Sequence, residues 1–305
     1  MSTVPESRAA RNTRAVLAMI LSVAMLALVD GIAKIAAGEG MHPFMIAFFR
    51  NLFGLIAMLP FFMRVGLARM KTTRLRMHLA RGAFHTMAML CWFTALTLVP
   101  LAEATAMIFI TPIFASIGAV LIMGEGSRLL RWASVAIGFA GMLIILRPGV
   151  ADWNIGALLL IFNAITIAGV KLMIKSLSRT DTPVTIVAYM SLTLTVFSFL
   201  PALFVWQWPN PWLLFLLASM GGIGTVAHVI QTYSYRDGEI TLVEPSSYMR
   251  LVWAAAVGYV LFGEVPGIWT WIGGAVIAGG AILLLRDEIR EARAARTAPS
   301  GTIST

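Results

Sequence analysis

Ten long apolar runs, separated by short polar connections, are the dominant feature of this 305-residue chain. A bilayer core is about 30 Å thick, and a helix needs roughly 20 apolar residues to cross it. Each run is close to that length, and no connection is long enough to hold a soluble domain. The pattern predicts an all-α integral membrane protein with ten transmembrane helices at residues 14–36, 44–63, 78–98, 102–123, 129–147, 154–174, 184–206, 211–234, 241–262 and 268–286.

The composition supports lipid as the main solvent. Apolar residues make up 59% of the chain and charged residues only 12%, about half the charged share of soluble proteins. The formal charge of +9 is spread between the apolar runs and forms no continuous basic face, so nucleic acid is not expected as a partner. The single cysteine, Cys91, excludes an intrachain disulfide.

Lys and Arg residues mark the cytoplasmic side of membrane proteins. If the N-terminal tail is inside, nineteen Lys and Arg lie on the inner side and one, Arg147, lies outside. Lys34, Arg50 and Arg250 fall at or within the membrane. The asymmetry predicts that both termini are cytoplasmic, in a multi-pass protein of the cell membrane, which is the inner membrane in a bacterium.

The chain repeats itself at an offset of 139 residues. At this offset Gly124-Glu125 falls on Gly263-Glu264, Trp132 on Trp271, and Leu146-Arg147 on Leu285-Arg286. Each copy holds five predicted helices, and an odd number means that the second copy enters the membrane from the opposite side. Such inverted repeats are common in secondary transporters. We therefore predict a cytoplasmic tail at 1–13, a first five-helix repeat at 14–147, a second, inverted repeat at 148–286, and a cytoplasmic tail at 287–305.

Several segments resemble the drug/metabolite transporter superfamily, in its ten-helix EamA-type branch. They are the paired elements above, the segment from Pro43 to Arg50, and the segment from Tyr248 to Ala254 that leads into Phe262-Gly263-Glu264. The resemblance covers nearly the whole chain except the tails. It implies export of amino acids, aromatic ones among them, or of related metabolites, and a central cavity lined mainly by the third, fourth, eighth and ninth helices.

Ionisable residues inside the membrane are functional candidates because each costs several kcal/mol unless it is paired or hydrated. Asp30 and Lys34 lie one turn apart in the first predicted helix, and Arg50 lies at similar depth in the second. They can form a charge cluster that gates the outer side or contacts an anion, or they can be a structural tie. Glu125 and Glu264 are expected to cap the amides that open the helix after each of them.

Two prolines mark points where the helical hydrogen-bond ladder must break. Pro112 and Pro245 each free a backbone carbonyl, which in lipid needs a protein or water partner. The neighbouring polar residues are therefore expected to face the interior, and they include Thr111, Glu244, Ser246, Ser247, Tyr248 and Arg250. Arg250 can hold a substrate carboxylate or pair with Glu103 or Glu244.

Polar and aromatic side chains on two apolar helices are candidates for a substrate cavity. His78, His85 and Trp92 lie at seven-residue spacing on one face of the third predicted helix, and His228 and Gln231 lie three apart on the eighth. A flat substrate can stack on such aromatic groups while hydrogen bonds orient it. The alternative is hydrogen bonding between helices.

The sequence favours a secondary transporter that exports amino acids or related small metabolites by alternating access. Another cargo, such as a nucleoside-like compound or a drug, is the first alternative. A membrane-embedded enzyme or a receptor is the alternative of another class. No phosphate-binding glycine loop or paired-His motif is present, so we predict no enzyme activity, no metal and no cofactor. The expected partners are a small-molecule substrate and the bilayer; a monomer is compatible with the sequence, which does not fix the oligomeric state.

Overall fold

The described part of the chain is helical along almost its whole length. The computed structural model describes residues 8–65, 72–123, 129–146, 154–177, 180–181, 183–237 and 246–297. These residues form eleven helices: α1 (Arg8–Gly38), α2 (Pro43–Val65), α3 (Leu75–Leu96), α4 (Leu101–Ile108), α5 (Thr111–Met123), α6 (Leu129–Leu146), α7 (Ile155–Leu177), α8 (Pro183–Leu203), α9 (Pro211–Asp237), α10 (Met249–Phe262) and α11 (Ile268–Thr297).

Six segments of the described residues are long and apolar enough to cross a bilayer. They are Thr13–Gly38, Pro43–Pro60, Leu101–Ile122, Ile155–Ile174, Thr185–Leu203 and Pro211–Gln231, with shorter apolar helices at Ala136–Ile145, Met249–Phe262 and Ile268–Gly280. The third predicted span, α3, is not among them because Arg76, Arg81 and two histidines lower its hydropathy. If α4 and α5 count as one interrupted span, helices occupy the ten predicted places.

The fourth predicted span is broken, as its proline predicts. α4 ends at Ile108 and α5 begins at Thr111, with a turn at Phe109 and Ile110 between them. The Thr111 hydroxyl donates to the Ile108 carbonyl at 2.6 Å, which supplies one of the hydrogen bonds that the break removes. The second predicted break, at Pro245, lies outside the described residues.

The helix pairs of the two halves correspond to one another. When each of the first five spans is replaced by its equivalent among the second five, and the reverse, one observed pair becomes another observed pair. α1 packs on α9, and its counterpart α7 packs on α3; likewise α2 packs on α9 and α8 packs on α3. The α6–α11 pair is its own counterpart. There Gly141 and Gly273 allow close backbone approach, since a Cβ at Gly273 would lie 2.6 Å from the Gly141 carbonyl oxygen.

Two ends of the bundle differ in how they are held together. We call the end with the connections 39–42, 97–100, 204–210 and 263–267 the upper end, and the opposite end the lower end. The largest buried apolar cluster includes residues next to the upper connections, such as Met41, Val99 and Leu101. A smaller cluster toward the lower end of α1 contains Ala15, Met19 and Val23. The upper end is therefore closed by a packed core.

Candidate functional site

An ion pair joins the first helix to the tenth inside the bundle. Arg250 on α10 donates from Nη2 to Oδ2 of Asp30 on α1 at 2.7 Å. Trp92 on α3 donates from Nε1 to the other carboxylate oxygen, Oδ1, at 2.9 Å. Asp30 is only 4% exposed. Its two oxygens thus bind groups from α3 in the first half of the chain and α10 in the second.

The aromatic ring of Trp92 also supports the arginine. The guanidinium carbon of Arg250 lies 5.4 Å from the centre of a Trp92 ring, within the range in which a cation is attracted to an aromatic face. Trp92 is itself buried. In this conformation the ring is engaged by Asp30 and Arg250, so the stacking on substrate that the sequence predicted for Trp92 requires a rearrangement.

A second arginine, Arg50, lies on α2 in a different setting. It donates from Nη1 to the Asn51 side-chain oxygen at 3.1 Å, and its Nη2 lies 3.3 Å from Nε2 of His228 on α9. Both partners are uncharged when the imidazole is neutral. The Arg50 guanidinium is within electrostatic range of Asp30 and Arg250. Arg50 therefore adds a positive charge to a site whose described acid already pairs with Arg250.

The α9 side of Arg50 presents polar side chains and a glycine. Gly224 lies one turn before His228, and a Cβ there would be 3.4 Å from Nη2 of Arg50. His228 is exposed and forms a side-chain hydrogen bond with Gln231. His85 on α3 is within electrostatic range of Arg50 and His228. Its buried Nδ1 has no hydrogen-bond partner among the described residues.

A third set of contacts fastens the upper end. Lys34 forms an ion pair with Glu264 and donates to the Val99 carbonyl at 3.2 Å. The other Glu264 oxygen, Oε2, accepts the Leu101 amide at 2.9 Å. We call Lys34, Glu264, Val99 and Leu101 the upper latch. It joins α1, the α3–α4 connection and the α10–α11 connection.

These contacts correct three expectations from the sequence. Asp30, Lys34 and Arg50 do not form one cluster, because each faces a different helix and takes a different partner. Arg250 pairs with Asp30, an acid that the sequence analysis did not name for it. Glu264 caps the first amide of α4, across the bundle, rather than the next helix in the chain. Its repeat partner Glu125 lies outside the described residues, as does Glu244.

The remaining predicted site residues have local partners. Tyr248 packs edge-on against Phe109, with ring centres 4.9 Å apart, beside the break between α4 and α5. The Ser247 carbonyl accepts the Arg250 amide at 3.0 Å. The Gln231 amide nitrogen lies 3.8 Å from the Met19 sulfur, on α1. Tyr248 thus borders the break between α4 and α5, Ser247 lies at the turn before α10, and Gln231 connects the α9 face to α1.

The sequence reasoning missed a polar network toward the lower end. The imidazole Nε2 of His78 lies 2.8 Å from the Asp181 carboxylate, which also accepts the Thr72 hydroxyl at 2.9 Å. Arg81 is almost fully buried and donates to the Ile186 carbonyl at 3.0 Å. These residues fasten α3 to α7 and α8. Arg81 inside an apolar run was a signal for such a network, because a buried arginine needs carbonyl or carboxylate acceptors.

The fold and these embedded charges agree with the comparison to known proteins. Residues 13–147 and 154–286 each match the EamA-like transporter family. The chain belongs to this family. The two matches show that one family domain occurs twice, and the family and the apolar spans together show a multi-pass membrane transporter.

Several characterised transporters are similar to the chain over most of their length. A riboflavin transporter of Rhizobium johnstonii is 32% identical, covering 81% of this chain and 82% of that protein. An S-adenosylmethionine uptake transporter of Rickettsia prowazekii is 30% identical, covering 82% and 85%. The pseudopaline exporter CntI of Pseudomonas aeruginosa is 25% identical, covering 90% and 95%. A crystal structure with a TM-score of 0.62 and 20% identity covers 93% of this chain and 99% of that one, which supports the fold.

Proposed function

We propose that the chain is a secondary transporter that carries a small neutral or anionic organic metabolite by alternating access. The contact set of Asp30, Trp92 and Arg250 carries the proposal. An ion pair inside spanning helices is costly to keep unless function requires it. Arg250 and Trp92 reach Asp30 on α1 from different helices, α10 and α3, so a movement of α3 against α1 and α10 must alter the contact set.

The arrangement of the helices supports an inverted repeat. An in-plane two-fold axis exchanges the first five spans with the second five, and the observed packing pairs have the correspondence that such an axis requires. We further propose, from the distribution of Lys and Arg, that the lower end and both termini face the cytoplasm.

The contacts at the two ends support an inward-facing conformation. At the upper end, the latch joins α1 to the connections of both family domains. At the lower end, hydrogen bonds fasten helices within two groups. Ser22 on α1 donates to a carbonyl of α9, and Ser234 on α9 donates to a carbonyl of α1. In the second group, His78 and Arg81 fasten α3 to the α7–α8 side. Outward opening would then break the latch and bring the two groups together below.

The charges of the site restrict the cargo. Arg50 and Arg250 face one described acid, Asp30, which leaves the site positive. A permanent cation such as the sulfonium of S-adenosylmethionine would be repelled, whereas an uncharged ring system such as riboflavin, or a carboxylate, would not. Riboflavin is therefore our first candidate. Aromatic amino acids, which the family resemblance suggested, are the second candidate because they carry both a ring and a carboxylate.

Transport by the purified protein in liposomes tests the proposal. We would measure time-dependent movement of riboflavin, labelled tryptophan and labelled S-adenosylmethionine, loading the substrate inside or outside to establish direction. We expect riboflavin or tryptophan to equilibrate faster than in protein-free liposomes, and S-adenosylmethionine not to do so. Movement of S-adenosylmethionine alone would overturn the charge argument. Failure of all three compounds and of a wider metabolite panel would overturn the transporter assignment for this chain.

A further inference from the structure

Arg50 is a cation inside a spanning segment, and among the described residues no acid contacts it. It lies within the apolar segment Pro43–Pro60, and it is partly buried. Its hydrogen-bonding partners in the described structure are the Asn51 amide oxygen and a ring nitrogen of His228. An unpaired charge at this depth costs several kcal/mol, so a counter-charge is expected when the site is occupied.

Asp30 lies within electrostatic range of Arg50, but its direct contacts are with Arg250 and Trp92. Its Oδ2 accepts Arg250 and its Oδ1 accepts Trp92. The two arginines then share one carboxylate, and Arg250 is the one in contact with it. Lys34 is likewise balanced, because it pairs with Glu264 in the upper latch. Of the three cations that the sequence placed at membrane depth, Arg50 is the one whose contacts in the described residues leave its charge uncompensated.

The α9 side brings a glycine and an exposed histidine next to a guanidinium that has free N–H donors. Arginine has five N–H donors in a fixed planar fork, and the contacts with Asn51 and His228 use two of them. Because Gly224 has no side chain, nothing from this position covers Nη2 and Nε; a Cβ here would lie 3.4 Å and 3.8 Å from them. His228, one turn further along α9, is exposed. Such a fork binds a carboxylate or another small anion with strong, charge-assisted hydrogen bonds.

We infer that Arg50, with His228 and Gly224, forms an anion-binding site in the transport pathway. Its ligand is either the carboxylate of a substrate or a small free anion such as chloride that accompanies an uncharged substrate. The inference deepens the proposed function, since it names the group that the carrier recognises. Asn51 positions the arginine: its amide nitrogen donates to the Leu194 carbonyl at 3.4 Å and the Ser198 hydroxyl at 3.2 Å on α8.

Binding is tested in detergent, independently of transport. The melting temperature of the purified protein would be titrated at constant ionic strength with chloride replacing the bulky HEPES anion, and separately with indole-3-acetate against its uncharged amide. We expect a saturable rise with chloride or with indole-3-acetate and none with the amide. No saturable rise with either anion in the wild-type protein would overturn the inference.

Variants assign the effect to Arg50. We expect Arg50→Gln to raise the apparent dissociation constant roughly tenfold or more, because a charged hydrogen-bonding partner is lost. Gly224→Val places a side chain against Nη2 and Nε of Arg50 and keeps the charge, so it should also weaken binding. This variant provides the test if Arg50→Gln does not fold. Arg76→Gln removes an exposed arginine and should bind like the wild type. If Arg50→Gln binds the anion as tightly as the wild type, the site is overturned. If only Gly224→Val folds, wild-type binding by that variant overturns the site.

Liposomes distinguish the two sources of the anion. If riboflavin movement depends on chloride, the anion is free; if labelled indole-3-acetate moves and competes with the cargo, the anion belongs to the substrate. Arg50-dependent anion binding without movement of riboflavin or tryptophan would refute those cargoes and leave the anion site standing. Movement of riboflavin that is indifferent to chloride and unchanged in Arg50→Gln would refute the anion site and leave the transporter standing.

Discussion

Arg250 and Asp30 are 220 positions apart in the chain and 2.7 Å apart at their nearest side-chain atoms. The pair is buried on the aspartate side and partly exposed on the arginine side. Removing one member of a buried pair leaves the other charge uncompensated, which costs about 3–5 kcal/mol when both are fully buried. Because Arg250 retains some exposure, we expect the cost here at or below the low end of that range.

We predict that Asp30→Asn and Arg250→Gln each lower the melting temperature more than the double variant does. In the double variant two neutral amides replace the pair, so neither member is left as a charge without its partner. All three variants should lose most of their transport activity, since the contact set of Asp30, Trp92 and Arg250 is broken. The measurement is thermal unfolding by size-exclusion chromatography together with liposome transport. A double variant less stable than both single variants would contradict this explanation.

Trp92→Phe tests the second bond to Asp30. Phenylalanine keeps a ring under Arg250 and removes the Nε1 donor, which lies 2.9 Å from Oδ1. A hydrogen bond to a charged group contributes about 1.5–3 kcal/mol, so we expect a clear fall in melting temperature and reduced transport. Trp92→Ala and His85→Ala should reduce transport more than they reduce expression. Wild-type transport in Trp92→Phe would show that the indole nitrogen has no role in the cycle.

The positions of the helices were predictable because each must bury a run of apolar side chains in lipid. The repeat was also visible, since Glu264 and its neighbours recur at a fixed spacing with Glu125, and two family matches now show the duplication. The break before Pro112 followed from the missing amide of proline.

The partners of the embedded charges were not predictable in the same way. Asp30 and Lys34 are one turn apart, which suggested a shared cluster, yet Asp30 pairs with Arg250 and Lys34 with Glu264, 230 positions away. Partner choice depends on which helices pack against α1. No local pattern in the sequence encodes that packing. Asn51 was missed for a related reason: an asparagine in an apolar run becomes informative only when the neighbouring α8 is known.

The close approach of α6 and α11 gives a prediction with an internal control. A Cβ at Gly273 would meet the Ile145 side chain at 2.5 Å and the Gly141 carbonyl at 2.6 Å, whereas a Cβ at Gly279 on the same helix meets nothing within 4 Å. Alanine normally stabilises a helix by about 1 kcal/mol relative to glycine. We therefore expect Gly279→Ala to keep or raise the melting temperature and Gly273→Ala to lower it. Equal effects of the two variants would mean that the helices do not touch at Gly273.

The upper latch gives the last prediction, on the conformational cycle. Glu264 has two partners on different elements, the Lys34 ammonium and the Leu101 amide. Glu264→Ala removes both contacts, while Lys34→Met removes the ion pair and the bond to Val99 but leaves the α4 cap. Both variants should therefore favour opening of the upper end, and Glu264→Ala should have the larger effect.

Cysteine labelling can follow that opening. In a Cys91→Ser background, a cysteine replacing the buried Val99 would report access from the upper side to a membrane-impermeant maleimide. We expect slow labelling with the latch intact, faster labelling with Lys34→Met, and the fastest with Glu264→Ala. A cysteine replacing Thr97, which is already exposed at this end, should label at one rate in all three proteins and is the control. If Val99→Cys labels equally in all backgrounds while the Thr97 control behaves as expected, the Lys34–Glu264 pair does not hold the upper end closed.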